Sequence, residues 1–202
     1  MATGPRYKVA FRRRREGKTD YHARRRMISS GRPRLVIRIT DTRIIAQVVQ
    51  ALPQGDRTVA AADSRQLAEY GWHGGPKNLP AAYLTGYLAA RQALQAGVSS
   101  AVTDLGLVQP IKGSRIFSAI KGAIDAGLQV PCSKEMLPQE KRIHGDHIAA
   151  YVKDLGKKDP DALKRQFGKL SKGKTDLTTL PSLFEPTKSK IDAKFRTRRS
   201  EQ

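Results

Sequence analysis

Arginine dominates the chemistry that this chain can perform. One run is Arg12-Arg13-Arg14-Arg15, a second is Arg24-Arg25-Arg26, and Arg6, Lys8 and Lys18 stand among them. A guanidinium donates hydrogen bonds in a planar fork that matches phosphate oxygens, and it stacks on exposed bases. Tyr7, Phe11, Tyr21 and His22 are interleaved with these cations, a mixture suited to RNA with unstacked bases. Arg32, Arg34, Arg38 and Arg43 continue the series around what reads as a first β-hairpin. Two more places could meet a phosphate or a base. Lys112-Gly113-Ser114-Arg115 precedes a helix start, where free N–H groups attract an anion; Ser114 as a simple cap is the equal alternative. Trp72, near Tyr70 and His73 in a Gly-rich loop, reads either as a stacking ring or as a loop anchor.

Other constellations are weaker. Gly168-Lys169-Leu170-Ser171-Lys172-Gly173-Lys174-Thr175 fits the P-loop spacing. That chemistry needs a strand before the loop and a helix after it, whereas a helical pattern precedes this one and Pro181 follows. It reads as basic linker. His144 and His147 flank Asp146 without a third firm ligand for zinc. Two-metal hydrolysis would need carboxylates converging on the sheet. The strands offer only Asp41, Asp63 and Asp104 at their ends, and Asp104 reads as a turn cap. Neither a cofactor, a metal nor a small-molecule substrate is called for.

These residues need elements to position them. Thr19 or Asp20 can cap a short helix through Ser29, closed by Gly31 before Pro33. Three consecutive arginines on it fan over an arc of about 200°, which suits a groove or a junction between RNA strands. Leu35–Thr40 and Ile44–Val49 are β-branched runs joined through Asp41-Thr42, with Leu35, Ile37 and Ile39 on one face and Arg34, Val36 and Arg38 on the other. Thr58–Ala62 suits a third strand. A helix from Asn78 to Gly97 carries Tyr83, Tyr87, Ala90 and Leu94 on its core stripe. Ala101–Thr103 is a short strand, and Ser114 opens a helix ending at Gly127. Leu128–Val130 reads as a last strand and 139–153 as a last core helix. The pattern predicts an α/β fold, a mixed β-sheet with flanking helices. Three parts follow: a basic arm over 1–34, an α/β core over 35–155, and a Lys-rich extension over 156–202. In the extension Asp159-Pro160 opens one helix, and Pro181 and Pro186 break any longer one.

Charge supports this division. The chain has 202 residues, 38 Lys and Arg against 18 Asp and Glu, and a net charge of +20. Residues 1–34 hold 12 basic and 2 acidic side chains, while 35–150 hold 12 and 9. Two basic ends around a near-neutral centre call for a polyanionic partner. A lone Cys132 excludes an intrachain disulfide. No apolar stretch reads as a signal peptide or a membrane span.

The stretch Gly31-Arg32-Pro33-Arg34-Leu35-Val36, with the hairpin ending Ile45-Ala46-Gln47, resembles the ribosomal protein L-eighteen family, in particular its archaeal-type branch. So do Gly4-Pro5-Arg6-Tyr7-Lys8, Thr19-Asp20-Tyr21-His22, Ala82-Tyr83-Leu84-Thr85-Gly86, Asp104-Leu105-Gly106, Lys121–Gly127 and Arg142–Ile148. The likeness runs from Met1 to Tyr151, and nothing after Tyr151 is carried over. It implies a ribonuclease-H-like fold without catalysis. It also implies a cytoplasmic place in the central protuberance of the large ribosomal subunit, where the arm and hairpin contact 5S rRNA and 23S rRNA beside neighbouring ribosomal proteins. Leu105 stands where bacterial members carry arginine, so it supplies no such contact. A nonspecific nucleic-acid-binding protein and a ribonuclease-H-like nuclease are the alternatives.

Overall fold

A computed structural model of the chain describes residues 4–171 and 177–197. Strands β1 (Arg34–Ile39), β2 (Ile44–Leu52), β3 (Gly55–Asp63) and β4 (Val102–Asp104) form one sheet in the order β3-β2-β1-β4. The first three are antiparallel neighbours, and β4 pairs parallel to β1. Alternation sorts the side chains as the strand pattern predicts. Leu35, Ile37, Ile44, Ala46, Val48, Ala60 and Ala62 are buried on the inner face. Arg34, Val36, Arg38, Gln47 and Val49 line the other. A bulge in the β2–β3 ladder pairs Val48 with Ala60 but Val49 with Thr58, leaving Val59 as the extra residue. One inserted residue reverses which face the following side chains occupy. Thr58 and Asp56 therefore join the outer face, although Ala60 and Ala62 point inward.

Ahead of the sheet lie α1 (Arg12–Arg15) and α2 (Tyr21–Ser29). After it come α3 (Leu79–Gln95), α4 (Arg115–Asp125), α5 (Glu140–His144), α6 (Asp146–Lys158), α7 (Pro160–Ser171) and α8 (Leu180–Thr197). Helix α3 lies at the centre, starting at Asn78, whose side chain accepts from Ala81 N. Every residue from Leu79 to Ala90 is buried, so the helix is enclosed on all sides rather than along one stripe. Its closest neighbour is α4, and glycine on each makes the approach possible. A Cβ on Gly86 would stand 2.0 Å from Ala119 O, and one on Gly122 would stand 2.1 Å from Tyr83 O.

Three expectations fail here. Leu128–Val130 is no strand; a single parallel bridge joins Ser100 and Gln129. The helix expected over 139–153 breaks at Gly145, whose φ of +95° separates α5 from α6. Pro181 and Pro186 do not end the last helix. Pro181 sits in the first turn of α8, where its missing N–H has no partner to lose. Pro186 is exposed, while Leu180, Phe184, Thr187 and Ile191 recur at helical spacing and are almost fully buried in the core. That burial outweighs a proline cost of about 3 kcal/mol. The 156–202 segment is thus no loose extension over 177–197. Residues 172–175, half of the P-loop-like run, lie outside the described residues.

Candidate nucleic-acid interface

The arm is a built surface. Asp20 caps α2, its carboxylate accepting from His22 N at 2.8 Å and Ala23 N at 3.2 Å. Those backbone bonds hold its carboxyl below the ordinary carboxylate value. Phe11 packs on Tyr21 with ring centroids 4.9 Å apart, and Arg13 Nε donates to Thr19 Oγ1 at 2.9 Å. These contacts join α1 to α2.

The three arginines of α2 do not all face outward. Arg24 turns to the sheet and meets Asp56 with both nitrogens at 2.9 Å. Asp56 also accepts from Arg34 at 2.7 Å, and Arg34 donates to Asp104 at 2.9 Å. Asp104 in turn accepts from Arg38 at 2.9 Å and from Gly106 N at 2.9 Å. The chain Arg24–Asp56–Arg34–Asp104–Arg38 ties the arm to three strands. Burial alone would raise both carboxyls. The guanidiniums of Arg24 and Arg34 outweigh it at Asp56, and those of Arg38 and Arg34, with Gly106 N, outweigh it at Asp104; both stand below the ordinary value. A cleft of about 550 Å³ remains between α2 and the outer sheet face, with Arg13, Lys18 and Met27 on one side and Val36, Gln47 and Thr58 on the other.

This arrangement divides the expected site residues. Arg34 is 3% exposed and its outer nitrogens are held by two carboxylates, so it braces the arm against the sheet. Arg24 and Arg38 are half-buried in the same network, and Arg43 is paired with Asp63 at 2.8 Å. Lys18 and Arg12 lie 2.9 and 3.8 Å from Glu16 but stay exposed. Among the described residues, Arg6, Lys8, Arg14, Arg15, Arg25, Arg26 and Arg32 are exposed and form no ion pair. Tyr7 and His22 are exposed beside them, while Tyr21 is half-buried. Trp72 is 3% exposed and donates from Nε1 to Gly75 O at 2.9 Å, so it anchors its loop. Ser114 stands at the start of α4 without a side-chain cap bond. Lys112 lies 3.6 Å from Glu135, and Arg115 donates to Lys77 O at 3.3 Å.

Asp56 is the residue that sequence reasoning missed. It reads as part of a Pro-Gln-Gly-Asp turn, and only the bulge at Val59 places it beside Arg34. Asp104 does cap a turn, as expected, and also closes the arginine network. A nuclease would need strand-end carboxylates free for metal ions. Asp63 and Asp104 are instead each engaged by arginine, and Asp41 stands apart on the exposed turn between β1 and β2.

Residues 5–101 match the family model described as "Ribosomal large subunit proteins 60S L5, and 50S L18". The large ribosomal subunit protein uL18 of Staphylothermus marinus is 52% identical over 192 residues, covering 95% of each chain. The chain belongs to this family. Its uL18 relatives from Methanothermobacter thermautotrophicus and Thermofilum pendens are 49% and 48% identical over 95% of this chain and 98% of theirs. Members of the uL18 family are structural parts of the large subunit, not enzymes. The match extends well beyond Tyr151, so the likeness takes in the C-terminal segment that the motifs alone leave out. Among the described residues no helix is long and apolar enough to cross a membrane.

Proposed function

We propose that this chain binds 5S rRNA through its arm and the adjoining sheet face, and holds it against 23S rRNA in the central protuberance. The observation that carries this reading is the pre-set arm. Arg24 and Arg34 lock α2 onto the sheet through Asp56, which leaves Arg25 and Arg26 with Arg14 and Arg15 exposed for phosphates. A basic tail binding without selectivity would need no such buttress, and ordering the arm beforehand lowers the entropy cost of binding. Phosphate contacts supply affinity, while shape and the exposed Tyr7 and Phe11 rings supply selectivity for RNA.

Deleting residues 1–26 tests the reading. Arg34 keeps Asp56 and Asp104, so the sheet stays folded while most of the affinity for 5S rRNA is lost. Retained affinity would place the binding surface elsewhere.

A further inference from the structure

Residues 105–111 read Leu-Gly-Leu-Val-Gln-Pro-Ile and carry no charge, in a chain of net +20. They follow β4 and leave large apolar side chains in water. Leu107 is 56% exposed, Val108 49% and Ile111 63%. The loop is braced at both ends. Gly106 N donates to Asp104 Oδ1, and Gly106 packs against the Arg38 guanidinium. Val108 N reaches Leu105 O, Ser114 N donates to Ile111 O, and Gly113 N donates to Met136 O. A loop fixed in this way does not fold its apolar tip back onto the core. Clustered apolar side chains held out in water mark an interaction surface.

We propose that this loop docks into an apolar, acid-rimmed pocket on a neighbouring protein of the large subunit. RNA is the other material of a ribosomal subunit, and this loop offers it little. Gln109 is the one side chain in 105–111 with a hydrogen-bonding group. Arg38, the cation on which Gly106 rests, is already engaged by Asp104. An apolar floor is what Leu107, Val108 and Ile111 fit, since their burial is favourable and none brings a charge to desolvate. The rim follows from charge complementarity. Lys112 and Arg142 border the loop at Gly113, so carboxylates on the partner meet a basic margin. Because Gly106 rests on Arg38, the partner sits next to the arm side of the molecule, beside bound RNA. The inference rests on membership of a large-subunit family and not on which RNA the arm holds.

The test uses large subunits isolated from cells that express the full chain with a photo-crosslinking phenylalanine in place of Val108. The expected adduct is with one other protein of the subunit. An adduct with rRNA, an adduct with a second copy of this chain, or no adduct overturns the proposal. A second variant, Leu107→Glu with Ile111→Glu, changes only exposed side chains. It should bind 5S rRNA as the parent does and yet be washed from isolated subunits about tenfold more readily, the scale of losing a buried anchor. Equal retention of this variant and the parent contradicts the docking. Loss of 5S binding in the parent itself refutes the arm reading and leaves the crosslinking result interpretable.

Discussion

Asp56→Asn sets two electrostatic arguments against each other. By net charge alone, removing a carboxylate from an RNA-binding surface strengthens binding. One unit charge about 10 Å from a phosphate contributes only ~0.4 kcal/mol in water before screening, a factor of two at most. The structure assigns the carboxylate a larger, opposite effect. Its bidentate pair with Arg24, about one third exposed on each side, contributes about 1 kcal/mol to docking α2. Its bond from Arg34 satisfies a guanidinium that is almost wholly buried, so its loss costs a further ~1–3 kcal/mol of fold stability. Weakening the docking of α2 by about 1 kcal/mol weakens RNA binding by up to about fivefold. The assay is equilibrium binding to 5S rRNA at fixed salt, with urea unfolding in parallel. Asp41→Asn is the control, the same charge change on an exposed hairpin turn with no arginine network. The expected result is weaker binding and lower stability for Asp56→Asn, with Asp41→Asn neutral or slightly tighter. If Asp56→Asn binds as tightly as Asp41→Asn, the buttress does not position the arm.

Other outcomes follow from the same geometry. Arg25→Ala and Arg26→Ala should each weaken 5S binding and flatten its salt dependence by about one unit of slope, read from a salt titration, while leaving the melting temperature unchanged. Gly86→Ala forces a methyl group against the Ala119 carbonyl and should lower unfolding stability by about 1–3 kcal/mol in urea. Trp72→Ala should cost about 3–5 kcal/mol of stability by emptying a core position, and Trp72→Phe should keep RNA affinity in filter binding. Asp56 and Asp104 titrate below the ordinary value of 3.8 in the folded state. Their stabilisation is complete above that value and is lost as pH falls through the lower folded-state values, so the urea midpoint should drop steeply below about pH 4.

Much of this fold was legible in the chain. Alternation in β1 separates Leu35 and Ile37 from Arg34, Val36 and Arg38, while the Thr19-Asp20 pair marks the start of α2 and Asn78 that of α3. Local chemistry decides such features. What stayed hidden depends on register or on distant packing. The bulge at Val59 turns Asp56 to the arm face, and nothing around residue 59 announces it. Helix α8 continues past Pro186 because Phe184 and Ile191 are buried against elements far back in the chain. Trp72 fits two roles by residue type, and its burial with the Nε1 bond to Gly75 O decides for the loop anchor. The candidate site was legible by residue type, but which arginines face outward was not, because that depends on where two carboxylates lie.

Competition binding tests the central claim most directly. The full chain is titrated with 5S rRNA at physiological salt against tRNA and duplex DNA. The account requires 5S binding that both competitors displace only at large excess and that weakens steeply as salt rises. Equal binding to all three, vanishing with salt, would contradict it and reduce the arm to a nonspecific polycation.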